Sequence, residues 1–134
     1  MKTADLTGPA LDWAVAKCLG LGYRHDFKYG PMYFRTPSPD GSVAWDNYPL
    51  PYSTDWAQGG PIIEREGIAL WLSNEPEKGL WAAADKRWMD LPADSEEFMN
   101  MPDPWHGPTP LIAAMRCFVA SKLGDEVDVP EELK

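Results

Sequence analysis

The chain has 134 residues, of which 44% are hydrophobic and 12% aromatic, so it is long enough for one domain with a single apolar core. Its 21 acidic residues outnumber its 12 basic ones and give a formal charge of −9, which argues against a DNA or RNA polymer as partner. The amino-terminal residues lack the apolar centre of a signal peptide, and no segment has the roughly 18 apolar residues of a membrane span. We therefore predict a single cytoplasmic domain over residues 1–134 that has no membrane partner.

The first predicted element is a helix over residues 7–20. Thr7 can cap it, a proline fits its first turn, and apolar residues recur at helical spacing until a glycine ends it. Two aromatic-rich stretches, residues 27–34 and 43–48, predict short strands. The turn sequence over 38–41 lies between these strands, so we expect them to pair as a hairpin.

The segment from Tyr52 to Arg65 combines helix-start residues, a tryptophan, a glycine pair and charged residues. Ser53 or Thr54 can cap a short helical turn. Gly59-Gly60-Pro61 is expected to break that turn and begin a second one, which Gly67 ends. Neither a core strand nor a solvated linker requires this mixture, so the segment is the first candidate for a recognition site.

The second half of the chain alternates strand and helix signals. Residues 68–72 and 80–84 are apolar and bounded by turn residues, so we predict that they pair as antiparallel strands. Residues 85–108 contain four prolines and predict a long irregular excursion with at most one short helix. The clearest helix begins at Thr109-Pro110 and ends before an acidic tail over 125–134, which we expect mostly at the surface. The fold class is therefore α+β: a small antiparallel sheet packed against two main helices, with a short helical motif between them.

The chain carries few signals of catalysis. Cys18 and Cys117 lie on apolar faces of predicted helices, where packing is more common than reactivity, and two cysteines fit a reduced, intracellular protein. His25 and His106 lack metal-ligand spacing with the cysteines. No glycine group forms a P-loop or a dinucleotide fingerprint. We predict no catalytic residue, no metal and no cofactor.

Binding signals concentrate around Trp56. It follows Ser53, Thr54 and Asp55 at a predicted helix start, where free backbone amides and short polar side chains favour an anionic or polyhydroxylated ligand. The charge of Asp55 disfavours a bare phosphate, so a ribose or an amide is equally suitable. Arginine side chains further along the chain can bind phosphate or carboxylate groups. The predicted ligand-binding residues are Ser53, Thr54, Asp55, Trp56, Gln58, Gly59, Gly60, Arg65 and Arg116.

The same residues have a structural interpretation of equal weight. The polar residues before Trp56 can be helix caps beside a packed indole, and Arg116 can pair with Asp12 or Glu64. The chain has seven tryptophans, more than a core of this size needs. Most of them are expected to lie in the core or in the interface of an oligomer.

Four segments carry a family resemblance. They are residues 6–16, 53–64, 109–116 and 123–127, of which the second contains Thr54-Asp55-Trp56-Ala57-Gln58-Gly59-Gly60-Pro61. These segments resemble the NinX-like phage and prophage proteins, a family without an assigned function. The resemblance implies a bacteriophage accessory protein that acts in the bacterial cytoplasm, and it carries over no catalytic residue.

Small phage accessory proteins of this kind resemble, in size and in tryptophan-rich α+β composition, the sponge proteins that sequester nucleotide-derived immune signals. This analogy implies a non-catalytic homo-oligomer that binds a small nucleotide-like ligand, such as a cyclic nucleotide or an ADP-ribose-type signal. One alternative is a protein-interaction module that inhibits a host factor through an acidic and aromatic surface. A nucleotide hydrolase is the third and least favoured function.

Overall fold

The computed structural model describes residues 1–34, 39–41, 45–46, 51–100 and 103–134. Within these residues the fold is α+β, as the sequence predicts. The helices are α1 (Gly8–Cys18), α2 (Trp56–Glu66), α3 (Lys86–Asp90), α4 (Glu96–Met99) and α5 (Pro110–Leu123). The strands are β1 (Gly22–Asp26), β2 (Gly30–Phe34), β3 (Trp45–Asp46), β4 (Ala69–Leu72), β5 (Trp81–Ala84) and β6 (Trp105–Gly107).

Helix α5 is the centre of the core, because it contacts α1, α2 and all three strands from β4 to β6. Its start and end follow the predicted signals: the Thr109 hydroxyl accepts a hydrogen bond from the amide of Ile112 at 3.1 Å, and the helix ends at Gly124. Eight of its fourteen residues are buried, including the whole side chain of Phe118. A helix that is apolar on most sides is one that other elements surround.

Helix α1 packs against α5 and also lies close to its predicted position. The expected cap by Thr7 is wrong in one respect, since the Thr7 side chain makes no capping hydrogen bond. A capping oxygen accepts from the second or third helical amide, and the second residue here is Pro9, which has no N–H.

The first sheet has the order β1-β2-β3, with antiparallel pairing throughout. The predicted pairing between the aromatic stretches is confirmed where Phe34 faces Trp45 and Tyr33 faces Asp46. The sequence does not predict strand β1, because Gly22–Asp26 has no alternation of apolar and polar residues. Ser38 of the predicted turn and most residues of the predicted strand over 43–48 lie outside the described residues.

The second sheet has the order β4-β5-β6. Its β4–β5 pairing is confirmed, with Leu72 opposite Trp81. The expectation of at most one short helix over residues 85–108 is wrong, because this stretch holds α3, α4 and the edge strand β6. Strand β6 has only three residues and depends on pairing with β5, which a sequence pattern does not reveal.

Helix α2 is continuous, so the predicted break at Gly59-Gly60-Pro61 is wrong. A proline inside a helix removes one hydrogen bond to the carbonyl four residues earlier, here that of Ala57. Ala57 and Pro61 are both exposed, so water can donate a hydrogen bond to that carbonyl. Packing of the buried Ile62 favours the continuous helix, and Gly67 ends it in the left-handed conformation, as predicted.

Six of the ten residues of the acidic tail are exposed, as expected, but two of its valines join the core. Val127 and Val129 are buried, and the amino-terminal ammonium donates a hydrogen bond to the carbonyl of Val127 at 2.9 Å. The Thr3 hydroxyl donates to the carbonyl of Gly124 at 2.7 Å. In the part of the chain that the structure describes, every helix is too short or too polar to cross a bilayer.

Candidate ligand-binding site

The segment before α2 forms a tight turn. The amides of Thr54 and Asp55 both donate to the carbonyl of Pro51, at 3.2 and 2.9 Å. Asp55 then caps α2, because its carboxylate accepts from the amide of Ala57 at 2.9 Å. The cap is therefore Asp55 rather than Ser53 or Thr54, and its negative charge lies at the positive end of the helix dipole.

The buried residue of this turn is Ser53, which is 1% exposed. Its amide and its hydroxyl both donate to the same carboxylate oxygen of Asp12, at 2.9 and 2.7 Å. Asp12 lies on α1 and is itself buried, and this burial raises the pKa of its carboxyl, while the bonds from Ser53 act in the opposite direction. Asp12 therefore fixes the turn to α1, and the predicted pair between Asp12 and Arg116 is not formed.

We expect Asp12→Asn to become more stable relative to the wild type as the pH rises from about 4 to 7. The asparagine oxygen can still accept both bonds from Ser53, but it has no proton to lose. A raised carboxyl pKa stabilises the fold below the usual pKa of Asp, and that contribution disappears as the pH rises through the folded-state pKa. Urea denaturation of both proteins at pH 4, 5.5 and 7 measures the difference. If the difference in free energy of unfolding between the two proteins stayed constant with pH, the raised pKa of Asp12 would be contradicted.

A cleft of about 220 Å³, the Trp56 cleft, opens between the starts of α2 and α5. Trp56 is 54% exposed and forms one wall, so it does not fill the core. The complete lining is Ser53, Thr54, Trp56, Thr109, Pro110, Leu111 and Ile112.

The two glycines of α2 have different roles beside this cleft. A side chain on Gly59 would overlap the carbonyl oxygen of Tyr52 and lie 2.7 Å from Cδ2 of Leu111. Gly59 therefore allows α2 to approach the preceding turn and α5 closely. A Cβ on Gly60 would lie 3.9 Å from Cε3 of Trp56, which shows that the indole lies along the helix beside Gly60.

The other predicted site residues lie elsewhere. Gln58 is exposed on α2, and Arg65 is in its last turn, where it forms an ion pair of 3.4 Å with Glu66. Arg116 donates to the carbonyls of Leu6 and His106, both at 2.8 Å, instead of pairing with a carboxylate. The structure thus brings Ser53, Thr54 and Trp56 together in one cleft, and it places both arginines outside that lining.

The residues that sequence reasoning missed are those that α5 contributes to the cleft. Thr109 and Pro110 were recognised as a helix start but not as neighbours of Trp56. Thr109 begins a helix with a short polar side chain, as the segment Ser53-Thr54-Asp55 does. Only the packing of α2 on α5 shows that the two helix starts share a cleft.

Neither cysteine is suited to nucleophilic chemistry. Burial raises the pKa of Cys117 to about 12 and that of Cys18 to about 11, although Lys122 and Lys17 act in the opposite direction on Cys18. Both thiols therefore stay protonated at neutral pH, and a thiol is a much weaker nucleophile than a thiolate.

The comparison with protein families agrees with the resemblance that the sequence motifs carry. The chain matches the family described as Bacteriophage P22, NinX over residues 2–122, which leaves only Met1 and the last twelve residues outside the match. No curated protein matches the chain. Because the match covers most of the sequence, the chain belongs to the bacteriophage P22 NinX family.

Proposed function

We propose that this protein is a non-catalytic phage accessory protein that binds a small nucleotide-derived immune signal in the bacterial cytoplasm and so withholds it from its host receptor. The observation that carries the proposal is the position of Trp56, which is more than half exposed on the wall of a cleft. An indole in that position offers a flat surface to a base, and stacking of this kind contributes about 1–3 kcal/mol.

Hydroxyl groups of the cleft supply the polar contacts. The Thr109 oxygen already accepts a bond from Ile112, so its proton remains available to a ligand. Thr54 is exposed at the other side of the cleft. The carboxylate of Asp55 is next to it and repels a bare phosphate. This combination favours the ribose and base of a nucleotide over its phosphates.

The size of the cleft limits how much of the ligand it encloses. Pockets that enclose drug-sized molecules have volumes of about 300–1,000 Å³, whereas the Trp56 cleft has about 220 Å³. We therefore expect it to hold one ring system, with the rest of the ligand over the exposed indole. A second copy of the chain would cover that remainder, which is our reason to propose a homo-oligomer. Exposed Leu72 and Leu80, at 61% and 53%, are apolar surface for such an interface.

Calorimetric titration against cyclic dinucleotides, cyclic trinucleotides and ADP-ribose-type signals tests the proposal, with light scattering on the same samples to read the oligomeric state. Saturable binding of one ligand is expected, and Trp56→Ala should weaken it about 10- to 100-fold, the equivalent of one lost stacking contact. Phe27→Ala is the matched control, since Phe27 is 97% exposed and does not line the cleft.

Three results would contradict the proposal. The first is no binding of any ligand at micromolar protein. The second is equal binding by Trp56→Ala and the wild type. The third is a chemically altered ligand after heat release, which would indicate a hydrolase. A host protein retained from lysate after removal of nucleotides, and lost on substitution of exposed acidic residues, would instead support the interaction module.

A further inference from the structure

A second and larger cleft lies at the opposite end of α2. Its volume is about 430 Å³, which is within the range of about 300–1,000 Å³ for ligand pockets. Four of the twelve basic residues of the chain line it, together with two acidic ones. We call it the cationic cleft, and its charged residues are Arg65, Lys86, Arg87, Lys122, Glu66 and Asp85.

The charge of this cleft is opposite to that of the chain. Its six charged side chains have a formal sum of +2, whereas the whole protein carries −9. The basic residues come from three separate places in the fold: the last turn of α2, the start of α3 and the last turn of α5. The concentration is therefore a result of packing and not of one basic stretch of sequence.

The two arginines are held by weak ion pairs. Arg87 lies 2.9 Å from Asp85 and Arg65 lies 3.4 Å from Glu66, and both arginine side chains are more than half exposed. Exposed pairs of this kind contribute about 0–1 kcal/mol, so an anionic ligand can compete for them. Lys86 and Lys122 form no ion pair with any residue that the structure describes.

The floor of the cleft is apolar and buried. It is formed by Ile68, Cys117 and Phe118, which are 8%, 3% and 1% exposed. An apolar wall behind a group of cations strengthens their field, because less water is available to screen it. The planar guanidinium groups bind two phosphate oxygens at once, and the ammonium groups add point charges.

A smaller cavity of about 110 Å³ adjoins the cationic cleft and shares Asp85 and Arg87 with it. Its own lining contains Trp105 with the carboxylates of Asp103 and Asp125. These carboxylates repel phosphate, so a ligand that spans both spaces would have its phosphates among the basic residues and its uncharged part near Trp105.

From these observations we infer that the cationic cleft binds the phosphate groups of a small molecule with two or more phosphates. The inference does not depend on the function proposed for the Trp56 cleft. Trp56 and Arg65 are nine positions apart, which separates the two sites by about 14 Å along α2.

Calorimetric titration with inorganic pyrophosphate tests the inference. Saturable binding that weakens with added salt is expected, and Lys86→Gln/Lys122→Gln should weaken it about tenfold or more. Lys78→Gln/Lys134→Gln is the matched control, since it removes the same charge from two exposed lysines outside the cleft and should change the affinity less than about twofold. Lys86→Arg/Lys122→Arg should restore binding.

Spectroscopic mapping locates the site independently of the variants. Backbone amides of residues 65–67, 85–87 and 117–122 should shift on addition of pyrophosphate, and those of residues 53–56 should not. Trp56→Ala should bind pyrophosphate as the wild type does, which separates this inference from the proposed function. Absence of saturable binding, an equal loss in the control pair, or shifts confined to the Trp56 cleft would each overturn it.

Discussion

Gly59→Ala is expected to destabilise the protein by roughly 1–3 kcal/mol, whereas Gly60→Ala should stabilise it by about 0.5–1 kcal/mol. Replacing glycine by alanine inside a helix is normally stabilising, because alanine loses less backbone entropy on folding. At Gly59 the new methyl group would overlap the carbonyl oxygen of Tyr52. At Gly60 the nearest atom is 3.9 Å away, which is an ordinary contact.

The carbonyl of Tyr52 cannot easily move away from that methyl group. Two amides of its turn donate to the carbonyl of Pro51, and Ser53 donates two hydrogen bonds to the carboxylate of Asp12. Urea denaturation measures the free energy of unfolding of both variants and of the wild type. Its slope against urea concentration should be the same for all three proteins. If both variants were stabilised equally, the close approach of α2 to this turn would be wrong.

Arg116→Met is expected to lower the free energy of unfolding by about 2–4 kcal/mol. Hydrogen bonds from a charged donor contribute about 1.5–3 kcal/mol each, and their loss also leaves carbonyls without a partner. Arg116 donates to Leu6, before α1, and to His106, on β6, so it links these two parts of the fold. Burial lowers the pKa of the guanidinium, but it stays charged at neutral pH.

Arg116→Lys should lose most of the same stability, because one ammonium group cannot reproduce the fork that reaches both carbonyls. Arg65→Met is the control, and we expect it to change the stability by less than about 0.5 kcal/mol, since that side chain is 58% exposed. Thermal and chemical denaturation of the three variants give the comparison. A cost below about 1 kcal/mol for Arg116→Met would argue that the two bonds are not formed in solution.

Local sequence signals were sufficient for the regular parts of the fold. Thr109-Pro110 predicts the start of α5 for a chemical reason. The threonine hydroxyl can accept a hydrogen bond from a helical amide, and the proline has no N–H that needs a partner. The β4–β5 pair follows from two short apolar stretches with a turn between them. In these cases the residues that determine the structure are neighbours in sequence.

The candidate sites could not be predicted in the same way. Ser53 and Asp12 are 41 residues apart, and Arg116 and Leu6 are 110 apart, so no spacing rule links them. The cationic cleft combines residues of α2, α3 and α5. Arg65 is predicted to bind phosphate or carboxylate groups, but no sequence pattern places Lys86, Arg87 and Lys122 beside it. At Gly59 the propensity of glycine to break helices was outweighed by packing, which a local pattern does not measure.

The contacts of the first eighteen residues affect how the chain folds during its synthesis. Helix α1 packs on α5, and Met1 and Thr3 form hydrogen bonds with residues 124–127. Helix α5 begins more than 90 residues after α1 ends, so the first helix can contact β1 and the Ser53 turn but not α5 until residues 110–127 have been synthesised. Contacts this distant in sequence are expected to slow folding, because a long loop must close before they form. Ribosome-stalled chains that end before α5 should therefore leave α1 open to proteolysis.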